Sequence, residues 1–175
     1  MTKTLPDAEA ALAKLADELK GRITAATAMI GLHTGGVWVA ERLHAQLGLK
    51  EPLGTMDIAF YRDDYAKEGL KHDPKRTRIP FEVEGRELLL VDDVLYTGRT
   101  VRAALDELID FGRPARIKLA VVVDRGHREL PIRADFVGRT LTTAREEVVQ
   151  VLVREEDGED RVVLLERAAR KRVRR

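Results

Sequence analysis

Hydrophobic residues along this chain occur either at helical spacing or in short uninterrupted runs. After Asp7, a good N-cap, leucines at helical intervals predict a helix that ends near Lys20. Short apolar runs such as Leu88–Val91 are typical of strands that are buried on both faces of a sheet. Alternation of the two patterns predicts an α/β fold with a parallel sheet flanked by helices.

The other predicted elements follow the same alternation. In chain order they are a strand over 25–32, a helix over 37–47, a strand over 54–61, a helix from 101, a strand over 117–123, and short β segments over 134–137, 147–153 and 161–165, with an acidic turn over 155–160. Residues 62–80 are polar, have no apolar periodicity and are predicted to form a flexible loop. Because no repeat or linker divides the chain, residues 1–175 are predicted to form a single domain.

The composition is that of an ordinary globular protein, with 44% hydrophobic and 35% charged residues. The absence of cysteine excludes a disulfide framework and a cysteine-ligated zinc site. The chain has neither an apolar run long enough to span a bilayer nor an apolar signal sequence at its start, so we expect a cytoplasmic protein. A net charge of +1 means that any affinity for nucleic acid must come from a local basic patch.

Candidate chemistry is concentrated in residues 87–101. The predicted strand leads into two adjacent carboxylates, Asp92 and Asp93, at the strand end where open α/β sheets bind ligands. Residues 96–100 then offer backbone amides and two threonine hydroxyls where a helix begins, and such a helix start binds phosphate. Carboxylates beside a phosphate site predict a phosphorylated ribose as ligand. The alternative is an ordinary capped turn with solvated aspartates.

This segment resembles the signature of the type I phosphoribosyltransferases, which bind phosphoribosyl pyrophosphate (PRPP). Two further motifs, over 57–64 and 123–135, are similar to those of family members that act on uracil and regulate pyrimidine genes. The resemblance extends from about Ile30 to Val153. It implies a type I phosphoribosyltransferase-like sheet, a flexible hood loop over 62–80, Mg²⁺ as cofactor, and a homo-oligomer that is a dimer or tetramer.

The resemblance also implies which residues bind PRPP. The PRPP-binding segment is expected to comprise Leu88, Leu89, Leu90, Val91, Asp92, Asp93, Val94, Leu95, Tyr96, Thr97, Gly98, Arg99 and Thr100. Within it, Asp92 and Asp93 are expected to be catalytic and to accept hydrogen bonds from the ribose hydroxyls. Mg²⁺ is expected to reach them through PRPP and water, with no direct protein ligand.

Pyrophosphate is expected at a second loop, Thr34-Gly35-Gly36, because glycines let backbone amides approach an anion closely. An ordinary strand-to-helix turn is the alternative. In related proteins the position of Gly35 is commonly arginine, so Arg78 and Arg99 are candidates to supply the missing positive charge. Because Gly35 lacks this positive charge, a nucleotide sensor with little catalytic turnover is an alternative function.

Two residues are expected to interact with the base or to determine which base is bound, namely Tyr96 and Arg125. Purine phosphoribosyltransferases carry an acidic residue at the position of Tyr96, where it serves the purine imidazole, so the tyrosine favours uracil. Arg125 is expected to contact the base or nucleotide and to belong to the catalytic set, with Val149 near it. His127 is expected to order its own loop rather than to act as a base.

The resulting hypothesis is a uracil phosphoribosyltransferase that forms UMP and pyrophosphate from uracil and PRPP and also regulates pyr genes in response to UMP or UTP. An RNA-binding transcription attenuator that recognises the pyr mRNA leader is the alternative. Basic residues for RNA are concentrated in a tail over 167–175, with Arg113, Arg116 and Arg139 scattered elsewhere. A solvated, frayed chain end is the alternative for this tail.

Overall fold

The computed structural model describes Leu5, residues 7–58 and residues 77–166. The predicted hood loop lies outside the described residues except for 77–80, and the predicted basic tail lies outside them entirely. In chain order the elements are α1 (Ala8–Leu19), β1 (Ala28–Leu32), α2 (Gly35–Leu47), β2 (Gly54–Met56), β3 (Glu87–Leu95), α3 (Arg99–Ile109), β4 (Arg116–Asp124), β5 (Phe136–Thr140), β6 (Glu147–Leu152), α4 (Arg154–Asp157) and β7 (Arg161–Glu166).

Five of these strands form a parallel sheet in the order β2-β1-β3-β4-β5. β3 is central: it pairs with β1 as far as Gly31↔Val91 and with β4 as far as Leu95↔Asp124. This architecture confirms the predicted α/β fold. Because the strands are parallel, their carboxyl ends share one edge of the sheet, where a ligand site is expected.

Both faces of the sheet are buried, as the apolar run in β3 predicted. Leu89 and Val91 pack into a cluster that includes α1 and α2, whereas Leu88 and Leu90 pack into a second cluster that includes α3. The Asp7 carboxylate caps α1 by accepting a 2.9 Å hydrogen bond from the Glu9 amide. None of the helices within the described ranges is long and apolar enough to cross a membrane.

Two predicted boundaries around the signature segment were wrong. β3 continues past Val91 to Leu95, because its ladder with β4 persists through Asp92↔Val121 and Val94↔Val123 and outweighs the polarity of the two aspartates. α3 begins at Arg99 rather than at 101. The other predicted elements are confirmed within a few residues, except that the strand predicted over 54–61 ends at Met56, with residues 59–61 outside the described residues.

A two-stranded antiparallel sheet, formed by β6 and β7, is attached to α2 through the acidic segment between them. The Arg42 guanidinium donates to Glu155 at 2.5 and 2.7 Å and to Asp160 at 2.7 Å. One helical turn beneath it, Trp38 Nε1 donates to Glu156 Oε2 at 3.2 Å. The acidic turn predicted from the sequence is therefore a docking element that contains the short helix α4.

The Arg42 hydrogen bond lowers the pKa of Asp160 from 3.8 to about 2, although burial of the carboxyl opposes the shift. The Asp160 side chain is only 4% exposed, so its ionised form depends on its donors, which are the Arg42 guanidinium and the backbone amide and guanidinium of Arg154. The pKa of Glu155 is also lowered, mainly by its hydrogen bond with Arg42. The attachment of β6 and β7 to α2 is thus an acid-sensitive part of the fold.

Replacing Arg42 by methionine should lower the free energy of unfolding near pH 7 by up to about 2 kcal/mol, the value that corresponds to the whole Asp160 shift, to which hydrogen bonds from Arg154 also contribute. Since the folded pKa is depressed, this contribution is present above the unfolded value near 4 and is lost as pH falls towards 2. Urea titrations of both proteins from about pH 7 to about pH 3 would measure it. Arg161→Met is the matched control, because Arg161 is 62% exposed and lies 3.8 Å from Glu159. A stability difference that stays constant with pH would contradict the account.

Candidate active site

The structure brings the predicted glycine loop and the paired carboxylates together at the carboxyl edge of the sheet. Thr34 precedes α2, whose first residues are Gly35 and Gly36. A Cβ atom on Gly36 would lie only 2.6 Å from the Val91 carbonyl oxygen, so glycine is what allows α2 to begin directly against β3. A Cβ atom on Gly35 would overlap the Asp93 carboxylate. Asp93 thus occupies the space that a larger residue at position 35 would need.

Backbone amides hold both carboxylates in place. Asp92 Oδ1 accepts a 2.9 Å hydrogen bond from the Asp93 amide, and Asp93 Oδ1 accepts a 2.8 Å bond from the Val94 amide. Burial raises the pKa of the Asp93 carboxyl, and the negative charge of Glu156 raises it further, while the hydrogen bonds oppose the shift. A hydroxyl donor or a cation bound at this point would stabilise the charged form of the pair.

The segment over 96–100, which is the predicted phosphate loop, turns from β3 into α3. Gly98, the N-cap of α3, has φ +91°, a conformation that favours glycine, and a Cβ atom there would lie 3.0 Å from the side chain of Ile132. Thr97 Oγ1 accepts a 3.3 Å bond from the Arg99 amide, and Thr100 lies in the first helical turn. The helix start therefore presents backbone amides a few residues after the carboxylates, and such a helix start can bind an anion.

The apolar side chains of the predicted PRPP-binding segment lie in the core or pack against it. Leu88, Leu89, Leu90 and Val91 are fully buried and Leu95 is 2% exposed. Val94 also packs against the core. These apolar residues position the site, and their role in binding PRPP stays a prediction. The polar side chains of the segment belong to Asp92, Asp93 and the loop over 96–100.

Arg125 and Tyr96 form one unit beside the phosphate loop. The Arg125 guanidinium carbon lies 4.0 Å from the centre of the Tyr96 ring, and Arg125 Nη2 donates to the Ala144 carbonyl at 3.0 Å. Arg125 is only 3% exposed, and burial lowers its pKa. The structure therefore joins two residues that the sequence assigned separately to the base.

Val149 and His127 make different contacts near Arg125. Val149, on β6, is 7% exposed and packs into the core, so its predicted role beside the base stays a prediction. His127 Nε2 lies 2.6 Å from the Thr143 carbonyl oxygen, and its ring meets Tyr96 edge-on. These contacts agree with a histidine that orders its own loop.

Arg78 and Arg99, which are expected to supply the positive charge that Gly35 lacks, lie in different parts of the structure. Arg99 Nε donates to Glu129 Oε2 at 2.9 Å, on the phosphate-loop side of the site. Arg78 is exposed and lies beside β2, where it exchanges two 2.8 Å backbone hydrogen bonds with Thr55. Their role towards pyrophosphate stays a prediction.

Sequence reasoning assigned no role to Arg128, although the structure connects it to the site. Its guanidinium donates to Asp124 Oδ2 and to the Tyr96 carbonyl, each at 2.6 Å, and to the Ile132 carbonyl at 2.9 Å. The sequence offered one signal, the four-residue spacing between Asp124 and Arg128. This spacing brings side chains together in a helix but need not do so elsewhere, so it did not identify Arg128.

The donor chemistry of the site fits a magnesium ion that arrives with its ligand. Among residues 7–58 and 77–166, no group of three or more histidine or carboxylate side chains is arranged to hold a metal ion. Asp92 and Asp93 nevertheless provide oxygen atoms of the kind that Mg²⁺ prefers, and this ion commonly completes its shell with phosphate oxygens and water.

Comparisons with known proteins agree with this geometry. The profile of the phosphoribosyl transferase domain matches residues 2–156. Bifunctional protein PyrR of Thermus thermophilus is 53% identical over 168 residues, which cover 93% of each chain. Bifunctional protein PyrR of Deinococcus radiodurans is 52% identical over 162 residues, covering 89% of this chain and 88% of that one.

Solved structures extend the likeness to the fold. A purine phosphoribosyltransferase from Pyrococcus horikoshii superposes with a TM-score of 0.59 at 26% identity, over 77% of this chain and 82% of that one. A hypoxanthine phosphoribosyltransferase from Trypanosoma cruzi gives a TM-score of 0.64 at 16% identity, over 97% and 93% of the two chains. With its profile match and its high identity to curated relatives over most of its length, the chain belongs to the phosphoribosyltransferase family, as one of the bifunctional PyrR proteins.

Proposed function

We propose that this protein is a uracil phosphoribosyltransferase, which forms UMP and pyrophosphate from uracil and PRPP, and that it also regulates pyr genes in response to UMP or UTP. The observation that carries the proposal is the meeting of three features at the end of β3. These are the glycine loop at Gly35 and Gly36, the carboxylates of Asp92 and Asp93, and the phosphate loop over 96–100.

The phosphate loop would hold the 5′-phosphate of the ribose. Amides at the start of α3 carry the partial positive charge of the helix N-terminus, and the hydroxyls of Thr97 and Thr100 can add hydrogen bonds. Asp92 and Asp93 would accept hydrogen bonds from the ribose hydroxyls. Positive charge develops on the ribose ring in the oxocarbenium-like transition state, and two fixed carboxylates nearby would stabilise it.

The glycine loop would receive the departing pyrophosphate. Amides at the start of α2 are the protein's contribution here, since Gly35 provides no side chain. Mg²⁺ bound to PRPP would supply charge neutralisation of the leaving group. Asp93 lies next to Gly35, so this side of the site is more negative than it would be with arginine at position 35. The second candidate function is therefore a nucleotide sensor with little turnover.

Uracil is proposed as the base because of Tyr96. A purine needs an acidic partner for its imidazole, whereas the Tyr96 ring is stacked against the Arg125 guanidinium and offers no such group. The solved neighbours named above act on purines according to their titles, but at 16% and 26% identity they do not decide the base. Arg125 and the backbone near Val149 would recognise the edge of uracil.

The regulatory role is proposed from the curated relatives, which carry the description bifunctional. The pyr mRNA leader would be the partner, and positively charged residues would bind its phosphates. Of the arginines predicted to contribute, Arg113, Arg116 and Arg139 are exposed. Arg116 also lies 3.4 Å from Glu87, which reduces its net charge contribution. We therefore assign most of the RNA affinity to the basic tail over 167–175.

Incubation with PRPP and Mg²⁺ should convert uracil to UMP far faster than it converts hypoxanthine or guanine to nucleotide. The physical reason is the absence of an acidic group at position 96. Spectrophotometric assays of each base, with and without Mg²⁺, would measure this. Comparable turnover with a purine would overturn the choice of base, and the absence of turnover with tight UMP binding would favour the sensor.

Converting both Asp92 and Asp93 to asparagine should leave the fold intact and reduce kcat by a hundredfold or more. Loss of a positioned group that stabilises transition-state charge costs on the order of 3 kcal/mol in comparable enzymes. Steady-state kinetics together with thermal unfolding would separate catalysis from stability. Asp17→Asn is a matched control, because Asp17 is exposed on α1 and pairs with Lys20. Wild-type turnover in the double variant would place the ribose elsewhere.

Removing residues 167–175 should weaken binding of pyr leader RNA and leave uracil transfer unchanged. Each phosphate contact to single-stranded RNA contributes a slope of about −0.7 to the plot of log affinity against log salt concentration. The truncated chain should therefore show a flatter slope in filter-binding titrations. If its affinity and slope equalled those of the full chain, the tail would have no part in binding RNA.

A further inference from the structure

The phosphate loop is supported from behind by the segment that follows β4. Arg128 connects three points there, since its guanidinium contacts Asp124 at the end of β4, the Tyr96 carbonyl and the Ile132 carbonyl. The amides of Glu129 and Leu130 both donate to the Thr97 carbonyl, at 2.9 and 3.1 Å. We call residues 124–132 the buttress.

These bonds determine the orientation of two peptide groups in the phosphate loop. In a trans peptide the carbonyl and the following N–H point in opposite directions. Arg128 holds the Tyr96 carbonyl towards the buttress, so the Thr97 N–H must point away from it. In the same way, the two amides that bind the Thr97 carbonyl turn the Gly98 N–H away from the buttress. Two consecutive N–H groups are thus aimed to the opposite side.

We propose that Arg128 is a positioning residue for the 5′-phosphate, which acts by fixing the Tyr96 carbonyl away from the anion and the Thr97 N–H towards it. The inference rests on the proposed phosphoribosyl function. A carbonyl oxygen that was free to rotate would turn its negative end to the phosphate in part of the population. Because Arg128 already holds the Tyr96 carbonyl in the bound orientation, phosphate binding does not have to supply the free energy of reorienting it.

The geometry requires arginine rather than a positive charge alone. The three acceptors are contacted by three different nitrogens, Nε, Nη1 and Nη2, of one planar guanidinium. The acceptor of Nη2 is Asp124 Oδ2, and the other carboxylate oxygen of Asp124 accepts a 2.9 Å bond from the Gly126 amide. A lysine ammonium is a single point on a flexible stem and cannot hold all three acceptors in this arrangement.

The test compares ligands that differ only in the phosphate. Calorimetric titration of Arg128→Lys should show UMP affinity reduced by about tenfold, the cost of losing a hydrogen bond from a charged donor, while uridine affinity stays at the wild-type value. In kinetics, KM for PRPP should rise by a similar factor and kcat at saturating PRPP should stay unchanged. Arg161→Lys is the control, because Arg161 is exposed on β7.

Asp124→Asn is a second variant that keeps the arginine and weakens only its ion pair. This variant should reduce UMP affinity by less than Arg128→Lys does. If a thermal melt shows that Arg128→Lys does not fold, Asp124→Asn tests the role of Arg128 instead. Equal losses for UMP and uridine, or no loss for either, would overturn the inference and leave the proposed function standing. A wild-type protein that bound neither UMP nor PRPP would overturn both.

Discussion

The candidate site depends on the direct contact between the start of α2 and the backbone of β3. Gly36 permits this contact, because any side chain there would collide with the Val91 carbonyl. The contact brings the amides of one helix start to the strand end that carries Asp92 and Asp93. α3 begins at Arg99, four residues after the end of the same strand, so two helix starts lie at the carboxyl edge of the sheet. A sugar that carries phosphate groups at both ends matches this arrangement.

Backbone amides hold the two carboxylates beside the glycine loop, whereas burial disfavours the charged form of Asp93. Asp93 occupies the space next to Gly35, and burial raises its pKa. Glu156, held by Trp38, adds negative charge nearby. The attachment of the β6–β7 sheet to α2 through Arg42 therefore contributes to the electrostatics of the site as well as to the fold.

The sequence predicted the fold well, because the fold depends on local patterns. Apolar runs located the sheet, and the order of hydroxyl and glycine residues located the phosphate loop. It failed where distant contacts decide the outcome. β3 extends to Leu95 because β4 pairs with it, and Arg128 reaches Tyr96 across 32 positions of the chain. Neither contact leaves a periodic signal, so only the folded structure identifies them.

A crystal structure of the protein with bound UMP would test the account most directly. We expect the phosphate on the amides of residues 97–100, the ribose hydroxyls on Asp92 and Asp93, and the uracil ring beside Tyr96 and Arg125. A UMP molecule bound away from the end of β3, or one whose phosphate lay on the α2 glycine loop instead, would contradict it.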